Sequence, residues 1–343
     1  MSRAIQFQRF GGAEILDIID RDVVVPDEGE VLVAPEAIGI NWFDVLWRRD
    51  MAPTKVQLPA GLGSEMAGVV IDTGPGVEGF APGDRVASIP AFDPNCYASY
   101  AEQTVMPVES LIHYSTCLTP AEASVHYVPS LLSWLAFREV ASIQPGDTVL
   151  ITGACYVSGP YAVQVARALG ARVIAATPFE TGIDYLHALG AEAVIHTESQ
   201  DLAKCVSKLT EGRGVDLVLD ALGGRQMSLL GDVVAPGGDL VLYGLLGGNE
   251  TSFPATAAFN KNIHFHVHCL SNFSGRPEIG IAQNRPVLAR AVAAINAMTE
   301  RGELVPQIDH RFRFEEVAEA HRYLESCANH HGRIVLDLAH AAA

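Results

Sequence analysis

The chain has 343 residues, 49% hydrophobic and 18% charged, with a formal net charge of -17. Such a length and apolar content bury a large core, divide into about two domains, and exclude a disordered or fibrous protein. The charge repels a phosphate backbone and the 23 Lys and Arg form no basic stripe, which argues against nucleic acid as a partner.

The opening residues, Met1-Ser2-Arg3-Ala4-Ile5, carry no secretory apolar core, and no apolar run is long enough to span a bilayer. The expected location is the cytoplasm, with no membrane partner. Cys96, Cys117, Cys155, Cys205, Cys269 and Cys327 lie far apart without a Cys-x-x-Cys pair, so buried thiols in a reducing compartment are expected.

Through residue 125, short alternating or apolar segments such as 30–34 and 67–71 predict antiparallel β structure. Turns at Gly74-Pro75-Gly76 and Ala81-Pro82-Gly83-Asp84 break it. From Gly146 the rhythm changes to buried apolar runs alternating with helices, the pattern of a parallel βαβ series. Strands are predicted at 148–152, 172–177, 193–195, 215–220, 239–243 and 263–269, with a helix at 160–169. Six strands suffice for a doubly wound dinucleotide-binding (Rossmann) domain. Helices at 286–301 and 315–325 and a strand at 333–337 then return to the first domain, giving expected units of 1–125, 126–270 and 271–343.

The segment 149–160 reads as a buried strand, a small-residue turn and a helix start. Gly153, Ala154, Tyr156, Val157, Ser158, Gly159 and Pro160 are the pyrophosphate candidates, because free N–H groups at a helix N-terminus attract phosphate. Tyr156 stands where the middle glycine of the fingerprint belongs, and an ordinary βα turn is the alternative reading. At the end of the second strand, Thr177 is neither the acid that binds a ribose hydroxyl nor a cation for a 2′-phosphate; NADP(H) is favoured over NAD(H).

Four blocks carry a family resemblance. Gly39–Asp44 precedes Gly61–Val70 and Gly83-Asp84-Arg85-Val86; Gln144–Ala154 runs into Gln164–Ala171; Gly214–Gly224 leads to Ala235–Gly238 and Tyr243-Gly244; and Ala320–Ser326 precedes Gly332–Leu336. Together they resemble the zinc-free quinone oxidoreductase branch of the medium-chain dehydrogenase/reductase superfamily. The resemblance implies an α/β fold: a GroES-like β-rich catalytic domain enclosing a cleft against a doubly wound Rossmann cofactor domain, in a homodimer whose cofactor sheets join edge to edge. It also places Gly223, Tyr243 and Gly244 at the nicotinamide side.

Zinc-dependent relatives carry Cys at the position of Asn41 and His at that of Ser64, so no zinc or other metal is expected. Without a Lewis acid, alcohol oxidation is disfavoured, whereas hydride delivery to a quinone or α,β-unsaturated carbonyl needs positioning and hydrogen bonds. The resemblance puts Asn41 and Asp44 beside nicotinamide and substrate, with Asn41 donating an amide N–H. A turn residue and a helix cap are their respective alternatives. Leu46 replaces a Tyr of many relatives and Leu132 a Thr; Tyr127 and Tyr156 are candidate substitutes, each otherwise a packed aromatic.

His264, His266 and His268 alternate on the last predicted strand, where a polar strand face outweighs a metal site. Two further readings stay open: a member that has lost turnover and acts as a dinucleotide-binding or sensor protein, and a reductase for a larger enoyl-thioester or natural-product intermediate.

Overall fold

The computed structural model describes residues 1–22, 24–52, 54–276, 279–326 and 331–338. At the N-terminus β1 (Ser2–Gln6) and β2 (Asp17–Arg21) form an antiparallel pair. A larger sheet is built from β3 (Glu30–Ile40), β4 (Glu65–Thr73), β5 (Arg85–Ser88), β6 (Thr104–Pro107) and β7 (Leu111–His113), all antiparallel to their neighbours. Side chains alternate across a strand. Val31, Val33, Ile38 and Ile40 of β3 therefore share a buried cluster with Met66, Val70, Met106 and Trp47. Trp47 belongs to the helix Trp42–Arg48 that follows β3 directly.

The second sheet holds β8 (Thr148–Thr152), β9 (Arg172–Thr177), β10 (Ala193–His196), β11 (Val215–Asp220), β12 (Val234–Leu242) and β13 (His264–Val267). All pair in parallel, in the order β10-β9-β8-β11-β12-β13. Val149, Leu150 and Ile151 are consecutive and each 0% exposed, as a strand covered by helices on both faces requires. The strand order reverses between β8 and β11, and that switch point opens a crevice at the carboxyl ends of the strands.

Two expectations are corrected below. Strands β14 (Ile308–Arg313) and β15 (Arg333–Asp337) do rejoin the first sheet, β15 lying antiparallel to β3. The helix Arg285–Glu300 before them buries Leu288, Ala291 and Ile295 in a cluster that holds Leu131, Leu135, Val149 and Ile151 and also Ala67, Ala87 and Ile89 of the first sheet and its edge. The thiols are less buried than expected: Cys155 is buried, but Cys96 and Cys117 are exposed and Cys205 and Cys269 are intermediate. Cys327 lies outside the described residues. The last strand of the parallel sheet is shorter than the sequence suggests; beyond it His268 donates its N–H to Leu242 at 2.8 Å and buries its ring, donating from Nε2 to the carbonyl of Leu132 at 2.9 Å.

Candidate active site

At the switch point a cleft of about 400 Å³ lies between the two sheets. The parallel domain contributes Cys155, Tyr156 and Val157 from the turn after β8, Phe179 after β9, and Leu222, Gly223 and Arg225 after β11. Trp42, Leu324, Gly332 and Ile334 close it from the other side.

The turn after β8 leaves backbone donors open at a helix start. Ala154 donates its N–H to Ala176 and Gly159 to Tyr156, whereas the N–H groups of Val157 and Ser158 take no backbone partner at the start of the helix Gly159–Ala168. Such groups at a helix N-terminus form an anion site. A Cβ at Gly159 would lie 2.3 Å from the carbonyl oxygen of Ala154, so no larger residue lets helix and turn approach. Val157, by contrast, is a β-branched residue at φ +23°, outside the conformations such side chains favour. Tyr156 does not fill the turn. Its ring meets Phe179 edge-on with centroids 5.5 Å apart, and both line the cleft.

The structure supplies a cation that the strand-end argument missed. Arg225 lines the cleft, is exposed, and forms no ion pair among the described residues. Nothing local in Gly223-Gly224-Arg225 marks it; its place follows from the β11 turn. That turn is shaped by Asp220, buried at 0% exposure, which accepts from the Gly223 N–H at 2.8 Å and from the Thr152 hydroxyl. Burial pushes the Asp220 carboxyl above its ordinary value.

Asn41 and Asp44 come together with partners the sequence reading did not choose. Asn41 precedes the helix Trp42–Arg48 and donates its backbone N–H to Asp44 Oδ2 at 2.9 Å, half of a capping box. Its side chain is committed: Nδ2 donates to Glu65 Oε2 at 2.8 Å, and Oδ1 accepts from Arg333 at 2.7 Å. Arg333 also pairs with Glu65. The amide expected to reach the substrate is thus held by a buried ion pair. Glu65 and Arg333 were legible only as a charged residue opening each of two apolar strands. Asp44 is 1% exposed, and burial lifts its carboxyl to about 7.

Tyr127 is placed away from the cleft. Its hydroxyl donates to Asn296 at 2.6 Å and accepts from the Ser115 N–H at 3.0 Å, tying two helices together. Thr177 is 0% exposed, and its hydroxyl donates to Cys155 and accepts the Phe179 N–H. Tyr243 sits at the end of β12 with its hydroxyl buried and unbonded, and Gly244 packs close to Ala221. Ala154 and Pro160 are buried beneath the turn. His266 pairs with Asp239 at 2.7 Å and His264 stands 3.6 Å from the same oxygen, while His268 points elsewhere; the three histidines do not converge.

Two family models match the chain: an alcohol dehydrogenase GroES-like domain over residues 27–116 and a zinc-binding dehydrogenase domain over 159–280. A quinone oxidoreductase of Pseudomonas aeruginosa is 31% identical over 94% of this chain and 96% of its own length. Among solved structures, a Pseudomonas syringae quinone oxidoreductase is 27% identical with a TM-score of 0.87, covering 98% of this chain and 100% of that one. A mycobacterial structure solved with NADPH is 25% identical with a TM-score of 0.85, covering 98% and 100%.

Proposed function

The chain belongs to the quinone oxidoreductase branch of the medium-chain dehydrogenase/reductase superfamily, and from that premise we propose that this oxidoreductase is an NAD(P)H-dependent, zinc-independent reductase of quinones or α,β-unsaturated carbonyls. The observation that carries the reading is Arg333. Its guanidinium takes the oxygens of Glu65 and Asn41 that would otherwise face a cation. With Ser64 as the remaining neighbour, the donor set is an amide and a hydroxyl beside a guanidinium, which does not fit zinc.

The residues do fit a nicotinamide dinucleotide. The free N–H groups of Val157 and Ser158 and the Arg225 guanidinium would hold its phosphates, while Tyr156 and Phe179 would flank the adenosine. A bound nicotinamide supplies the hydride. The protein's part is positioning: Trp42, Leu222, Leu324 and Ile334 exclude water and orient a flat acceptor. A carbonyl already conjugated to an alkene or to a quinone ring accepts hydride without a Lewis acid. NADP(H) is the cofactor favoured here, supported by the NADPH of the mycobacterial structure and by the lack of an acidic residue at Thr177.

The small-molecule reading extends to assembly as a homodimer. Strand β13 forms one edge of the parallel sheet; Val267 is 68% exposed on it and the nearby Phe259 89%. An open strand edge with exposed apolar residues beside it is a surface for a second copy. No helix among the described residues is long and apolar enough to cross a membrane.

Titration of nicotinamide fluorescence with NADPH and NADH, followed by turnover on quinone and enone panels with metal analysis of the same sample, tests the reading. Saturable binding with turnover at sub-stoichiometric zinc is the expected result. Binding without turnover on either panel overturns it in favour of a binding or sensor protein.

A further inference from the structure

A second polar network runs beneath the cleft from the first helix to the last. Asp44 Oδ2 accepts from the Asn41 N–H and, at 3.0 Å, from the hydroxyl of Tyr100. That hydroxyl lies 3.4 Å from Nε2 of His321, and Nδ1 of the same ring accepts from Arg48 Nε at 3.2 Å. A guanidinium only donates, so Nδ1 is the bare nitrogen and the ring hydrogen sits on Nε2. Every donor therefore points one way, from Arg48 through His321 and Tyr100 to Asp44. Glu325 closes the far end by pairing with Arg48 and Arg49.

We propose that Tyr100 and His321 are positioning residues: they hold the Asp44 carboxylate as an oriented acceptor and through it fix the helix whose first residue, Trp42, walls the cleft. Neither touches the cleft, since Tyr100 is 1% and His321 0% exposed. A buried chain of this kind is costly unless every member is satisfied, and here Tyr100, both ring nitrogens of His321 and the bonded carboxylate oxygen are. It joins three segments distant in sequence, Trp42–Arg48, the Tyr100 loop and Val317–Glu325, and the last contributes Leu324 to the same cleft.

The charge of Asp44 is correspondingly sensitive. Burial raises its carboxyl; the Asn41 N–H and the Tyr100 hydroxyl lower it; Glu65 on β4 raises it and Arg333 on β15 lowers it. His321 stays neutral, pushed down to about 3 by burial and by Arg48. Loss of the Tyr100 hydroxyl removes one of the donors that favour the carboxylate, so Asp44 then protonates at higher pH.

The activity readout rests on the reductase reading; the titration does not. Full-length protein carrying aspartate labelled at the side-chain carboxyl carbon is titrated by NMR, with Asp44→Asn assigning the signal, and kcat and KM are measured for Tyr100→Phe, His321→Gln and His321→Ala. In Tyr100→Phe the Asp44 midpoint is expected to move to higher pH, and kcat to fall roughly tenfold with little change in the KM for NADPH. His321→Gln, whose amide still accepts from Arg48 and donates to Tyr100, keeps most of the activity and the Asp44 midpoint, whereas His321→Ala loses both. An unmoved midpoint in folded Tyr100→Phe overturns the proposal, as do equal effects of the two His321 variants, which decide the matter if Tyr100→Phe does not fold. If the wild type reduces no quinone or enone, the reductase reading fails while the titration still judges the network.

Discussion

Arg333 and Glu65 stand 268 positions apart in the chain and form an ion pair in which each side chain is 2% exposed. The pair also holds both ends of the Asn41 amide. Removing one partner leaves a bare buried charge, and Arg333→Met is expected to cost about 3–5 kcal/mol of stability. Removing both charges together leaves no such charge, so the Arg333→Met, Glu65→Leu double variant should recover more than half of that loss. Urea denaturation of the three proteins checks this, and a double variant as unstable as the sum of the singles refutes it.

The turn after β8 stores strain at Val157, where φ is +23°. Strained positions persist at binding sites because the surrounding structure over-determines them. Val157→Gly should leave the fold intact, stabilise it or cost nothing, and tighten NADPH binding by letting the backbone approach the pyrophosphate. Fluorescence titration beside a thermal melt reads both effects. Weaker binding in a stable Val157→Gly protein would mean that the valine side chain itself contacts the cofactor.

Arg225 is the cation in the cleft nearest in chain position to the Gly223 turn, and a charge-assisted hydrogen bond to phosphate contributes about 1.5–3 kcal/mol before discounting for its exposure. Arg225→Ala is expected to weaken dinucleotide binding about tenfold and to reduce its dependence on salt. Comparing NADPH with NADH in the same variant tells which phosphate is involved: a loss confined to NADPH places Arg225 at the 2′-phosphate, and an equal loss places it at the pyrophosphate. No loss for either removes it from the site.

The fold was legible because its signals are local. The consecutive apolar run Val149–Ile151, the small-residue turn behind it and the repeated strand–helix rhythm each constrain a few neighbouring residues, and the parallel sheet follows from them. The Arg285–Glu300 helix shows the limit: its apolar face is evident, but which domain covers that face is decided by residues far away. The site was less legible for the same reason. Asn41 was expected to offer its amide N–H to a substrate, yet that amide is consumed by Glu65 and Arg333, whose pairing no spacing reveals. Tyr127 offered a hydroxyl in a suitable stretch, and the helix turned it to Asn296. Arg225 was not legible because a 2′-phosphate cation is expected after β9, whereas the cleft receives one after β11.

Asp44 makes the stability of the protein depend on pH in a defined direction. In the folded chain burial lifts its carboxyl from 3.8 to about 7. Between those values the folded state holds a proton that the unfolded state does not. The stabilisation this group contributes is therefore fully present below pH 3.8 and is lost as the pH rises through about 7. Asp44→Asn keeps an oxygen acceptor for the Asn41 N–H and the Tyr100 hydroxyl but removes the titration. Relative to wild type, the variant should gain stability between pH 5 and pH 8, on the order of 2 kcal/mol. The difference between their urea midpoints across that range reports Asp44 together with the groups coupled to it, Glu65 foremost. A difference that stays flat from pH 5 to pH 8 would show that Asp44 is ionised throughout, and the carboxylate would then be held by its donors more strongly than burial opposes it.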